Sequence, residues 1–149
     1  MFRDGAERLL VFRVGSERFG VPLGAVREVV DAPEVRRLPD APPSLLGVAT
    51  VRGELVPLYD ARAILDVEKV GAAPGAALVF SADARRVALA IDDVFDPVLV
   101  EEHELRPMPG AADAMIRGLV RRGGDLVVVV DAGVLVDAMV AALSESEAI

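Results

Sequence analysis

Few side chains in this sequence are placed where they could do chemistry, and Arg52 is the most informative of them. It lies between two apolar, β-branched runs, in an Arg-Gly-Glu corner that predicts a β-hairpin turning at Gly53 and Glu54. Glu28 is its best candidate partner, because a carboxylate is out of character among the valines of a short predicted strand. A bidentate Arg–Glu pair would leave guanidinium N–H groups for a binding partner. The simpler interpretation is a turn arginine that points into water.

The residues needed for common catalytic and metal chemistries are missing. The only histidine, His103, is in an acidic loop, and the sequence has no Gly-x-Ser-x-Gly motif and no cysteine, so Ser–His–Asp and cysteine-based catalysis are not expected. Six acidic residues between positions 92 and 104 could be imagined as a cation site, but they lack the order of a calcium-binding loop. We therefore expect neither an enzyme nor a protein with a metal or cofactor.

Composition and charge exclude two further classes. A net charge of −8 argues against nucleic acid as a partner, because phosphate binding needs a basic face. No apolar run approaches the ~18–20 residues of a membrane helix, and no secretory signal is evident, so we expect a cytoplasmic protein without membrane insertion. The hydrophobic fraction of 53% and the mean hydropathy of +0.43 are high, and they indicate an apolar interior and apolar partner surfaces.

The hairpin around Arg52 occurs twice in the chain. A shift of 71 positions lays residues 118–131 over residues 47–60 without a gap. Glycines match glycines at both ends of the first strand, and Leu-Val and Asp-Ala pairs match further on. The second copy, however, has Gly123 where the first has Arg52. This asymmetry is the first indication of a functional site.

The rest of the chain repeats in the same order, at a shift of about 68 positions. Short alternating strands with frequent turn signals favour barrels over an open sheet, because closure removes exposed edges. The sequence therefore predicts an all-β fold of two similar five-stranded barrels, over about 8–69 and 76–131, sharing an apolar interface. Helical spacing after Asp131 predicts a short C-terminal helix over 132–143, capped by that residue. The N-terminal strand could cross between the barrels.

Several motifs, in order over about residues 8–143, resemble the CheW-like coupling proteins of bacterial chemosensory arrays. The opening hairpin with Phe19-Gly20-Val21-Pro22, a third strand with Val26-x-Glu28-Val29, and the stretch 47–60 around Arg52-Gly53 carry the resemblance. Ile91-Asp92-x-Val94, Arg106-Pro107 and the second glycine-rich hairpin complete it. The family fold is two five-stranded SH3-like barrels, in agreement with the repeat. Thr50 and Ala61 depart from the family pattern, which has asparagine and leucine at these positions.

The resemblance implies a non-catalytic adaptor. Proteins of this family bridge the cytoplasmic tips of methyl-accepting chemoreceptors and the regulatory domain of a chemotaxis histidine kinase, in membrane-associated arrays. The receptor's helical tip docks in the groove between the barrels, and the signature arginine, here Arg52, is implicated in that contact. The expected receptor-binding residues are Arg52, Glu28, Val26, Thr50 and Gly53. The residues that contact the kinase are not indicated.

Two alternatives remain. The same adaptor could serve a non-flagellar pathway, such as pilus motility or development, or the fold could be a small-ligand-binding barrel. A closed pocket lined by convergent polar groups would favour a ligand-binding protein. A shallow open groove with Arg52 at its edge would favour the adaptor.

Overall fold

The computed structural model describes residues 5–68, 73–109 and 114–147, and the chain in these ranges is mostly β-strand. A helix follows each of the two glycine-rich hairpins: α1, of four residues, follows the first, and α2, of 16 residues, follows the second. The elements in chain order are β1 (Ala6–Val14), β2 (Glu17–Pro22), β3 (Val26–Asp31), β4 (Val35–Arg36), β5 (Leu45–Val51), β6 (Glu54–Asp60), α1 (Ala61–Ile64), β7 (Ala76–Ala82), β8 (Arg85–Ile91), β9 (Asp93–Val94), β10 (Val98–Glu101), β11 (Ile116–Arg122), β12 (Asp125–Val130) and α2 (Ala132–Glu147). No helix in these ranges is both long and apolar enough to cross a membrane.

The strands form two sheets of six strands each. Sheet A has the order β10-β1-β2-β12-β11, with β9 also paired to β1, and sheet B has the order β3-β7-β8-β6-β5-β4. The predicted all-β architecture with two similar units and a C-terminal helix is therefore confirmed. Each unit has six strands rather than the predicted five, and no backbone pairing within the described residues joins the two ends of either sheet.

The boundaries predicted for the two units, 8–69 and 76–131, do not match the sheets. The first hairpin of each repeat is exchanged: β1 and β2 join the later strands β9 to β12, whereas β7 and β8 join the earlier strands β3 to β6. Each exchanged hairpin is attached through a parallel pairing, β2 with β12 and β8 with β6. A repeated sequence specifies how a hairpin pairs with itself, and it does not specify which of two equivalent sheets the hairpin joins.

Three apolar layers hold the fold together. The largest lies between the sheets and is closed by α2 through Leu135 and Met139. A second fills the concave side of sheet B, and a third fills that of sheet A. Alternate residues of β7 and β8 contribute to the first and second layers, so these strands are buried on both faces and lack an apolar–polar alternation. The shared interface that the small size of each repeat predicts is present.

The predicted helix caps are confirmed at both repeats. Asp60 accepts a hydrogen bond from the backbone N–H of Arg62 at the start of α1, and Asp131 accepts one from that of Val134 at the start of α2. The second helix runs to Glu147, further than the predicted end at residue 143. Both aspartates are accounted for by capping.

Two matching glycines allow close approaches between strands. Gly47 and Gly118 occupy equivalent positions and have φ of 152° and 153°. A Cβ atom at Gly47 would lie 2.2 Å from the carbonyl oxygen of Arg36, and one at Gly118 would lie 2.5 Å from that of Arg106. A side chain would therefore clash with backbone at either site, which explains why both copies have glycine there.

Candidate functional site

The corner of the first hairpin turns one residue earlier than predicted. Val51 pairs with Glu54, so the two turn residues are Arg52 and Gly53 rather than Gly53 and Glu54. Their φ angles are 51° and 79°, as a two-residue turn of the type favoured in hairpins requires. In the second copy, Gly123 and Gly124 have φ of 56° and 94° in the same turn.

Arg52 therefore occupies a backbone conformation that suits glycine. A left-handed conformation costs a residue with a side chain roughly 1–2 kcal/mol, whereas glycine adopts it freely. The second copy makes the same turn with glycine at both positions. The turn itself does not explain the arginine, so its side chain has to be explained by what it contacts.

The side chain of Arg52 reaches Glu28 on β3. Its Nε donates to Oε1 of Glu28 over 2.9 Å, which confirms the predicted ion pair. The contact uses one nitrogen and is not the predicted bidentate pair. The Arg52 side chain is 74% exposed and that of Glu28 is 24% exposed. Within the described residues the guanidinium makes no other hydrogen bond or ion pair, so the N–H groups of its two Nη nitrogens are free to bind a partner.

A β-bulge in β3 orients Glu28 toward Arg52. Val26 pairs with Phe80 and Glu28 pairs with Val79, so β3 advances by two residues where β7 advances by only one. Because successive residues of β7 point to opposite faces, Val26 and Glu28 also point to opposite faces. Val26 packs at the layer between the sheets, away from Arg52. The structure thus brings together Arg52, Gly53 and Glu28, and it separates Val26 from them.

The Arg52–Glu28 contact shows that sheet B curls into an open barrel. In a flat sheet, β3 and β6 would be three strand spacings apart, roughly 14 Å. Sheet A has an equivalent closure, in which Nη2 of Arg122 donates to the carbonyl oxygen of Leu99 on β10 over 2.6 Å. Nη1 of Arg122 lies 2.5 Å from Oε2 of Glu104 in an ion pair. The adjacent Arg122 guanidinium holds the pKa of the Glu104 carboxyl below its usual value.

The arginines that close the two sheets differ in how many of their hydrogen-bond donors remain unused. Arg122 lies one position before Gly123, and its guanidinium contacts three partners: the carbonyl oxygens of Leu99 and Arg121, and Glu104. Arg52 contacts only Glu28 in the described part of the chain. The two repeats therefore differ in their arginines: the guanidinium of Arg122 is bound within the fold, whereas that of Arg52 keeps N–H donors for a binding partner.

Each repeat also has one further ion pair, at an equivalent position. Glu54 lies 3.8 Å from Arg86, and the equivalent Asp125 lies 3.6 Å from Arg18. Each pair joins a glycine-rich hairpin to the exchanged hairpin beside it. Since both copies have it, this contact stabilises the arrangement of strands, at up to ~1 kcal/mol for exposed groups.

One exposed residue of the hairpin was missed by sequence reasoning. The repeated Leu-Val pair suggests core, yet only the valines are buried, at 1% and 2% exposure for Val56 and Val127. Leu55 is 66% exposed and Leu126 is 51% exposed. Strand alternation could have revealed this, because a buried valine places the preceding leucine on the other face. Thr50 pairs with Leu55 and is also exposed.

A partly buried ion pair links the two sheets. Nη2 of Arg62 on α1 donates to both carboxylate oxygens of Asp92, over 2.8 and 3.0 Å, and both side chains are 12% exposed. Asp92 also accepts from the backbone N–H of Gly15, in the β1–β2 turn of sheet A, over 2.6 Å. Of the acidic residues considered for a cation site, Asp92 is thus engaged in this contact.

Several cavities lie among the described residues. A small one, beside Arg62 and Asp92, has a volume of about 40 Å³. Ligand pockets usually have roughly 300–1,000 Å³. A wider groove of about 490 Å³ lies between α2 and the β3–β7 edge of sheet B, with Phe80, Ala82 and Val136 among its apolar residues and Arg27 on its rim. Carboxylates of Glu101 and Glu104 lie near His103, but Glu104 is already paired with Arg122.

The family model of the CheW-like domain matches residues 8–139 of the chain. The chain belongs to the CheW-like family. A chemotaxis protein CheW of Rhizobium meliloti is 32% identical to this family member over 121 residues, which cover 79% of the chain and 77% of the relative. Protein PilI of Pseudomonas aeruginosa is 31% identical over 125 residues, covering 74% of the chain and 65% of that relative.

A solved structure supports the same CheW-like fold. The scaffolding protein CheW of Thermoanaerobacter tengcongensis superposes with a TM-score of 0.72 at 20% identity, over 83% of this chain and 88% of that one. The SH3-like double-barrel architecture that the resemblance implies is thus present here, as two curled sheets without backbone closure.

Proposed function

We propose that this chain is a non-catalytic adaptor that couples chemoreceptors to a chemotaxis-type histidine kinase in a bacterial signalling array. The observation that carries the proposal is Arg52. It occupies a turn position where the other repeat has glycine, it is oriented by Glu28, and it presents free N–H groups to solvent. Such an arginine is suited to anchoring a polar or acidic group of a partner.

The groove beside α2 supports a helical partner. It is lined by apolar side chains such as Phe80 and Val136 together with the polar Ser81, Asp83 and Asp137, a mixed lining that an amphipathic helix could match. Arg27 on its rim donates to Oγ of Ser81 over 2.9 Å. Glu28, the next residue of β3, points to the face opposite to that of Val26 and pairs with Arg52 there. The partner that Arg52 anchors is the cytoplasmic helical tip of a methyl-accepting chemoreceptor. A second surface, whose residues the groove does not include, would contact the kinase regulatory domain.

The remaining features fit a cytoplasmic adaptor recruited to receptor arrays. The sequence has one histidine and no cysteine, and no catalytic motif occurs in it. The cavity of about 40 Å³ beside Arg62 and Asp92 is too small for a metabolite, and wider clefts such as that of about 490 Å³ beside α2 are more open to solvent, which disfavours a small-ligand-binding barrel. The second candidate is the same adaptor role in a non-flagellar pathway, because the relatives also include proteins named PilI and FrzA.

Binding measurements with the two partners test this proposal. The immobilised chain is expected to retain a soluble fragment of a chemoreceptor tip, and separately the regulatory domain of the kinase, both taken from the organism that supplies the chain. An unrelated SH3-like domain serves as the control for nonspecific capture. Retention of neither partner by a folded chain would contradict the adaptor function.

A further inference from the structure

The outer face of the Arg52 hairpin carries an apolar strip that the fold does not cover. Thr50 pairs with Leu55 and Val48 pairs with Pro57, so these four residues share one face of sheet B, which we call the leucine face. The residues between them, Ala49, Val51 and Val56, point into the core of sheet B. Leu55 has the highest exposure of the large apolar side chains in the described ranges, at 66%.

Two arginines flank the leucine face. Arg36 on β4 pairs with Val48, and its neighbour Val35 packs into the core of sheet B, so Arg36 is on the outer side. Continuing the β6–β8 register from Leu58 and Ala88 brings Leu55 beside Arg85, in agreement with the ion pair between Glu54 and Arg86. Both arginines are exposed. Glu54 points to the opposite side of the sheet, like Val56 two residues later, so it does not neutralise them.

The dimensions of this face suit one helix. Strands β4 and β8 are three strand spacings apart in sheet B, or roughly 14 Å, and a helix with its side chains has a diameter of about 10–12 Å. A helix lying along β5 and β6 would place apolar residues on Leu55 and Val48, with Arg36 and Arg85 on its two sides. Its end would approach Arg52 at the turn.

We infer that the leucine face binds an acidic amphipathic helix of the chemoreceptor tip, with apolar residues against Leu55 and carboxylates toward Arg36 and Arg85. The inference rests on the proposed adaptor function and extends the receptor site from Arg52 along its hairpin. The equivalent face of the second repeat has Leu126, and Arg106 pairs there as Arg36 does here, but it has Arg121 in place of Thr50 and Glu17 in place of Arg85. Two arginines without a carboxylate at the matched positions suit an acidic helix on the first face, whereas Glu17 disfavours one on the second.

Matched leucine variants test the inference. Leu55→Ser is expected to weaken binding of a soluble receptor-tip fragment by about tenfold or more in titration calorimetry, because an exposed leucine becomes buried on binding. Leu126→Ser makes the same change at the equivalent position of the other repeat and is expected to bind as wild type does. Both substitutions are at exposed positions, so both variants are expected to keep the wild-type Tm. Arg85→Glu is expected to weaken binding by a similar factor and to reduce its dependence on salt concentration.

The outcomes separate the inference from the proposed function. If Arg52→Gly loses the receptor tip while Leu55→Ser binds it as wild type does, the leucine face is not part of the site and only the inference is overturned. Equal weakening by Leu55→Ser and Leu126→Ser would also overturn it. A wild-type chain that does not bind the tip at all would overturn both.

Discussion

Replacing Asp92 with alanine is expected to lower the free energy of unfolding by about 3–5 kcal/mol. The substitution leaves the Arg62 guanidinium in a site where its side chain is 12% exposed, without the two hydrogen bonds that now satisfy Nη2. It also removes the acceptor of the Gly15 N–H. An uncompensated buried charge costs more than the pair itself contributes, so the single variant should be far less stable than the wild type. Urea unfolding followed by circular dichroism measures the change.

Two further variants show whether the buried pair is responsible. Asp96→Ala removes a nearby exposed carboxylate and is expected to change stability by less than about 0.5 kcal/mol. The double variant Arg62→Leu/Asp92→Leu removes both charges and is expected to be more stable than Asp92→Ala alone. A loss below about 1 kcal/mol in Asp92→Ala would contradict the role given to this contact.

The substitution Arg52→Gly is expected to separate binding from folding. It removes the guanidinium and gives the first turn the same two glycines as the second. We expect affinity for the receptor tip to fall about a hundredfold, or roughly 2.7 kcal/mol. Stability should stay within about 1 kcal/mol of wild type, because relief of the left-handed backbone offsets the loss of an exposed ion pair. Calorimetric titration and thermal unfolding measure the two quantities.

Two other substitutions at this position sharpen the result. Arg52→Ala is also expected to weaken receptor binding in a folded protein, but without the relief that glycine gives the turn. Arg52→Lys keeps the charge and loses the planar array of donors, so intermediate affinity is expected. If folded Arg52→Gly binds the receptor tip with wild-type affinity, Arg52 is not part of the receptor site.

The location of the corner proposed to bind the receptor was predictable from the sequence, whereas the backbone geometry of this corner was only partly predictable. The repeat identified Arg52, and the presence of a carboxylate among valines identified Glu28 as its candidate partner, a prediction that the structure confirms. The turn was placed one residue late because the first copy has one glycine. The glycine pair 123–124, shifted back by 71 positions, would have indicated Arg52 and Gly53. The bulge that turns Val26 away from Glu28 has no such signal.

Contacts between residues far apart in the chain were harder to predict from the sequence. An exchanged hairpin buries the same apolar residues as an unexchanged one would, so hydrophobic pattern alone does not distinguish the two arrangements. Arg62 and Asp92 are 30 positions apart and occur among other charged residues, so nothing in their neighbourhood identifies them as a buried pair. The exposure of Leu55, by contrast, follows from strand alternation once Val56 is known to be buried.

The most direct test of the adaptor function is a bridging measurement. A receptor-tip fragment is immobilised, and retention of the kinase regulatory domain is measured with wild-type chain, with Arg52→Gly, and without the chain. Retention of the kinase domain is expected only with the wild-type chain, because Arg52→Gly keeps its fold but loses the receptor. Kinase retention that is the same with and without the chain, or the same with Arg52→Gly, would contradict the account.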